Sequence, residues 1–312
     1  MNSTSSTPGE SPANSALPAP SSNATATRPF YWSVLRELWE NRSLYIVPLV
    51  VAVVVVLGFL VSTVGLAERR QSVLLLGPEK ARAGIEVPYD MAAMMLIFTA
   101  FIVGVFYCLD GLYGERRDRS ILFWKSLPVS DLTAVLSKVT IPLAVLPLII
   151  LATIVAAHLV MLIWTSGVLI GHGMNPGSTW TTVPWIQNWL VLIYGLIVIA
   201  LWHAPIYGWA LLVSSIVRNA AFLWAVLPLI VIGIFERITL GTSHFTSLVR
   251  QRLFGFAPGA FGFEPKHGTA IDSLWQLTPG KYLSSPGLWI GLILAALFIA
   301  IAIRLRRYRG PL

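Results

Sequence analysis

Long unbroken apolar runs dominate this chain, with little of the alternation or striping that soluble strands and helices show. Six runs stand out, at about residues 44–66, 91–109, 139–163, 188–217, 221–238 and 286–303. About 20 apolar residues make a helix that crosses a hydrocarbon core roughly 30 Å thick. From Val139 to Phe235 the only Asp, Glu, Lys or Arg is Arg218. The pattern therefore predicts an all-α integral membrane protein with six transmembrane helices. Pro48, Pro142, Pro147, Pro205 and Pro228 fall inside the runs. Each removes a backbone donor and invites a kink, which neighbouring helices accommodate in a membrane.

Composition agrees. Of 312 residues, 56% are hydrophobic and 12% charged, and the mean hydropathy is +0.74, whereas a soluble domain is nearer a quarter charged. Residues 1–27 are mostly Ser, Thr, Asn, Ala and Pro, with Glu10 as the one charge, and are expected to be a disordered tail. They lack the basic start and apolar run of a secretory signal. Residues 28–309 read as one membrane domain. Cys108 is the single cysteine, so no intramolecular disulfide forms.

Ahead of the first run, residues 30–45 read FYWSVLRELWENRSLY. Tyr31, Val34, Leu35 and Leu38 recur at helical spacing, Trp39 adjoins them, and Arg36, Glu37 and Glu40 take the other side. This is the pattern of an amphipathic helix lying in the membrane interface; the alternative is a simple extension of the first span. Orientation follows from Lys and Arg. With the N-terminus inside, the inner segments carry 13 basic residues in 53 positions and the outer segments 9 in 98. Both termini are expected in the cytoplasm, the chain in the cell membrane, and residues 236–285 outside.

No energy source is visible. Ion-coupled carriers place carboxylates within spans, and here Asp110 is the nearest, at the inner end of span two, where Arg116 or Arg117 is placed to pair with it. No GxxxxGK[ST] phosphate loop, HExxH or GxSxG occurs. His158 and His203 lie within spans and suit either ligand or proton-relay roles, or hydrogen bonds that join helices. His172, His244 and His267 show no metal spacing, and no nucleic-acid partner is expected.

The inner loop, residues 114–138, reads GERRDRSILFWKSLPVSDLTAVLSK. Asp118 or Ser120 is placed to cap a short helix, Ile121, Leu122, Phe123 and Trp124 form an apolar block, and Pro128 stops it. Ser130 then caps a second helix, with Asp131 at its positive end. The block is either a docking surface, since Trp, Phe and Arg favour protein interfaces, or a helix tucking its aromatics into headgroups.

This loop resembles the coupling-helix loop of bacterial ABC-2 type transporter permeases, most closely over DRSILFWKSLPVSDLTAVLSK. The short turn SSIVRNAAFLW, residues 214–224, resembles the polar break of the same family between spans four and five. The resemblance implies a membrane permease with an N-terminal interfacial helix and a cytoplasmic coupling helix. A separately encoded ATPase would carry ATP and Mg, and this chain would bind no cofactor and catalyse nothing itself. Ile121, Leu122, Phe123, Trp124, Lys125 and Leu127 would enter the ATPase groove, with Arg116, Arg117 and Arg119 on its rim. A second permease copy, identical or related, would complete an export path for an amphipathic or hydrophobic substrate. The alternatives are a membrane scaffold that recruits a soluble partner, and an intramembrane enzyme or ion-coupled carrier using His158 and His203.

Overall fold

The computed structural model describes residues 29–74, 77–119, 130–262 and 274–308, which are helical apart from connections and one isolated antiparallel bridge between Phe261 and Leu277. Among them, six helices are long and apolar enough to cross a membrane. The chain is thus all-α and of multi-pass membrane type. The expected tail, residues 1–27, lies outside the described residues.

Helix α1 (Pro29–Glu40) leads into α2 (Ser43–Ser62), the first span. This span stops short of residue 66. The Thr63 hydroxyl donates back to Leu60 O at 2.6 Å, and Gly65 then takes φ 71°, a left-handed conformation that glycine adopts freely and that ends the run. Helices α3 (Leu66–Leu74) and α4 (Pro78–Arg117) occupy most of what hydropathy reads as a loop, residues 67–90. The second span is therefore not 91–109 alone. It is part of a 40-residue helix, roughly 60 Å long at 1.5 Å per residue. The additional turns are polar, so a hydropathy scan passes over them. Their support comes from pairs one turn apart, as between Arg82 Nε and Glu86 Oε1 at 2.9 Å, and Glu86 also accepts from Asn188 Nδ2 at 2.9 Å.

Helix α5 (Asp131–Thr140), a π-helical turn (Ile141–Val145) and α6 (Leu146–Gly171) replace the expected span 139–163 with one continuous rod. Pro142 and Pro147 account for the turn between them. Neither has an amide to donate, and one wider turn lets the helix pass both without breaking. The N-terminus of α5 is capped as its sequence indicates: Ser130 Oγ accepts from Thr133 N at 3.1 Å.

The remaining elements are α7 (Gly177–Thr181), α8 (Trp185–Ile216), α9 (Ala221–Thr239), α10 (His244–Phe254), α11 (Ala257–Ala260), a 3-10 turn (Leu274–Gln276), α12 (Pro279–Leu283) and α13 (Pro286–Tyr308). Spans four to six start within a few residues of 188, 221 and 286, and α13 runs past 303. Helix α8 is the centre of the bundle, packed on α4 and α13. Gly208 makes the second contact possible, because a side-chain carbon there would stand 3.2 Å from Ala295 O.

Within 236–285, the described residues around Ala260 and Tyr282 pack on α8. Tyr282 donates to Val198 O at 2.9 Å and Tyr194 to Ala260 O at 3.1 Å. The Glu236 carboxylate accepts from the amides of His244 and Phe245, at 2.7 and 2.8 Å, and so serves the free donors that begin α10.

Candidate functional site

Helix α1 does not present its charges as hydropathy orders them. Val34 and Leu38, expected on a face turned to the membrane interface, pack on the core instead. Glu37 lies between them on the same inward stripe and is 3% exposed, where the sequence reading puts it on the polar side. Burial of a carboxylate demands a cation, and α5 supplies one. Lys138 Nζ lies 2.7 Å from Glu37 Oε1, and Tyr107 on α4 donates to Glu37 Oε2 at 2.8 Å.

The pairing continues. Lys138 Nζ also reaches Glu115 Oε1, near the end of α4, at 3.2 Å. Glu115 Oε2 takes Arg306 Nη2 of α13 at 3.1 Å, and Arg306 Nη1 bonds Asp131 Oδ1 at the start of α5. Glu37, Lys138, Glu115, Arg306 and Asp131 thus form a chain of alternating charge, each link shared by different elements. A small cavity lined by Ser33, Glu37, Ser137 and Arg306 opens beside it. Removing one member of such a buried set leaves an uncompensated charge in a poor dielectric, so the helices are held in one register. The chain of charges joins α1, α4, α5 and α13 where residues 118–130 connect α4 to α5.

A second brace lies alongside. Arg116 is 4% exposed and its Nη2 donates to Ser214 O at 2.8 Å and Val217 O at 2.6 Å. These carbonyls are among those that a helix C-terminus leaves without intrahelical partners, and they attract a cation. Ser214 Oγ accepts from the amides of Leu112 and Tyr113 at 3.0 and 2.8 Å. The end of α8 is thereby fixed to the end of α4.

Arg116 is consequently enclosed in the bundle and not on an exposed rim. Arg117 and Arg119 are exposed. Arg117 pairs with Asp118 at 3.0 Å and lies 3.7 Å from Asp110, the pairing its spacing suggests. Arg119 takes φ 56°, turning the chain out of α4. Ile121, Leu122, Phe123, Trp124, Lys125 and Leu127 lie outside the described residues. On α1, Tyr31 and Trp39 are exposed and Leu35 half-buried, with Phe30 and Trp32 also exposed.

The two span histidines join helices. His158 Nε2 donates to Tyr89 O at 3.0 Å while Nδ1 accepts from Trp189 Nε1 at 3.4 Å. His203 Nδ1 and Nε2 contact Ile199 O and Leu253 O at 2.8 and 3.1 Å. Among the described residues no group of three His, Cys, Asp or Glu side chains is placed to hold a metal.

In the sequence alone Lys138 and Arg306 count only toward orientation, and nothing marks Glu115. The one local signal was the spacing of Val34, Glu37, Leu38 and Asn41, which places a carboxylate on an apolar stripe. No protein family, curated protein or solved structure matches the chain.

Proposed function

We propose that this chain is the membrane-spanning permease subunit of an ABC-2 type exporter, driven by a separately encoded ATPase that docks on residues 114–138 and moving an amphipathic or hydrophobic substrate. The observation that carries the reading is the alternating charge chain from Glu37 to Asp131. It ties both stems of the loop, ending at Arg117 and beginning at Asp131, to α1 and α13. A push on the loop then moves four helices together, where an untied hairpin would simply bend. That is the requirement on a chain whose energy arrives from outside the membrane.

The end bearing this cluster is the cytoplasmic one in this reading, in the cell membrane. Phe30, Tyr31, Trp32 and Trp39 on α1 then lie at headgroup depth, where aromatic rings settle. Arg117 and Arg119 flank the docking block 121–127. A second permease copy covers α9, whose apolar window is only 6% buried in the single chain.

The test is co-expression of the chain with a candidate ABC-type ATPase subunit. The pair co-purifies, and Phe123→Asp and Trp124→Ala abolish substrate-coupled ATP hydrolysis while the protein still folds. Variants that retain both partner binding and transport remove the docking claim. Partner binding without transport of any substrate favours the scaffold.

A further inference from the structure

At the other end of the bundle a buried cation, Arg70, faces no anion among the described residues. Arg70 on α3 is 6% exposed. Its polar partner is the Thr179 hydroxyl, 2.8 Å from Nη2, while Nε is buried without an acceptor. No carboxylate comes within ion-pair distance of it among the described residues.

The other buried charges are answered. Glu37 and Lys138 meet each other, Arg306 has Glu115 and Asp131, and Glu86 has Arg82 and Asn188. Glu236 caps α10, and Arg116 serves the carbonyls that end α8. A guanidinium keeps its proton and presents five donors in a planar fork. Burial without a counter-charge is strongly unfavourable for it. Desolvation lowers the Arg70 pKa, opposed in part by the Tyr89 phenol.

Polar and aromatic groups pack near Arg70. Tyr89 OH lies 3.4 Å from Thr165 Oγ1, and the Tyr89 ring packs on Trp185 and His158 at 4.7 and 5.6 Å between centroids. Thr179 is anchored in turn, its carbonyl accepting from Trp185 Nε1 at 3.1 Å. Helix α3 is flanked by Gly65 and Gly77, at φ 71° and 90°, with nothing within 4 Å of where a side chain would stand at either. Val61 and Val64, just before α3, are 74% and 82% exposed, an apolar rim at the end of a span.

We infer that Arg70 is the anchor of a binding site for one oxyanion, the phosphate of an anionic amphiphile whose chains lie along the exposed end of α2. The fork of a guanidinium matches phosphate through two parallel hydrogen bonds, and the adjoining apolar rim selects a lipid-like molecule over a small ion. The site concerns binding, and stands or falls apart from the transport reading.

The test uses the full chain purified in detergent, its unfolding temperature measured with added phosphatidylglycerol, phosphatidylcholine or inorganic phosphate, for wild type and Arg70→Gln. Phosphatidylglycerol raises the wild-type midpoint by several degrees, phosphatidylcholine raises it much less, and Arg70→Gln loses the difference. A shift with inorganic phosphate equal to that with phosphatidylglycerol, and lost in Arg70→Gln, keeps the oxyanion site and makes the free ion its ligand. Equal shifts in wild type and Arg70→Gln, or no shift with either anion, overturn it. If Arg70→Gln does not fold, native mass spectrometry of wild type decides. Retention of one phosphatidylglycerol in preference to phosphatidylcholine supports the site, and equal retention of the two overturns it.

Discussion

Lys138 on α5 and Glu37 on α1, 101 residues apart in sequence, meet as a buried ion pair with 2.7 Å between Nζ and Oε1. Lys138→Met leaves Glu37 and Glu115 facing each other's surroundings with no lysine between them. Breaking one partner of a buried pair costs about 3–5 kcal/mol, and thermal unfolding in detergent should show a loss of that order. Adding Glu37→Gln to Lys138→Met removes one stranded carboxylate, so the double variant should be more stable than Lys138→Met alone. Additive losses would mean that the two side chains do not interact.

Arg116 offers a second, more local test. Its guanidinium serves Ser214 O and Val217 O, and hydrogen bonds to charged groups contribute about 1.5–3 kcal/mol each. Arg116→Gln should therefore free the end of α8. Hydrogen exchange is the suitable measurement: amides around 212–220 should exchange faster, while those in the middle of α6 keep their protection. A uniform rise along the chain would indicate global destabilisation and deny the brace.

The spans were legible because an apolar run of membrane length has few competing interpretations. Their ends were not. Helix α4 continues back to Pro78 through polar turns held by local pairs such as Arg82 with Glu86, and hydropathy assigns no helix to such residues. The Ser130 cap was legible since its partner is three residues away. Glu37 was misplaced for the converse reason: periodicity ranks a residue within one helix, and the cation that makes an inward carboxylate tolerable lies on another. Prolines 142 and 147 announced an irregularity, but a kink and a π-helical turn answer the same missing donors, and the sequence does not choose between them.

Gly208 tests the packing at the centre. A side-chain carbon there would meet Ala295 O at 3.2 Å and Ala295 Cα at 3.3 Å, both backbone atoms of α13 that do not turn aside. Overpacking a close contact costs about 1–3 kcal/mol. Gly208→Val should reach the upper end of that range, whereas Gly167→Val, with open space around it, should sit near wild type. Equal midpoints for the two variants would show that α8 and α13 are less closely packed than this.

Orientation is testable on the native background, because the single cysteine, Cys108, is fully buried. The thiol is screened from an impermeant maleimide, so one introduced cysteine reports alone. Asp118 and Thr181 are exposed at opposite ends of the bundle, Asp118 after the end of α4 and Thr181 in α7. The excess of basic residues in the segments at the Asp118 end favours that end in the cytoplasm. In intact cells Thr181→Cys should label and Asp118→Cys should not, and permeabilisation should make both label. The reverse pattern would place the charge cluster and the loop beside it outside the cell, where no ATPase has nucleotide to hydrolyse, and would remove the exporter reading along with the orientation.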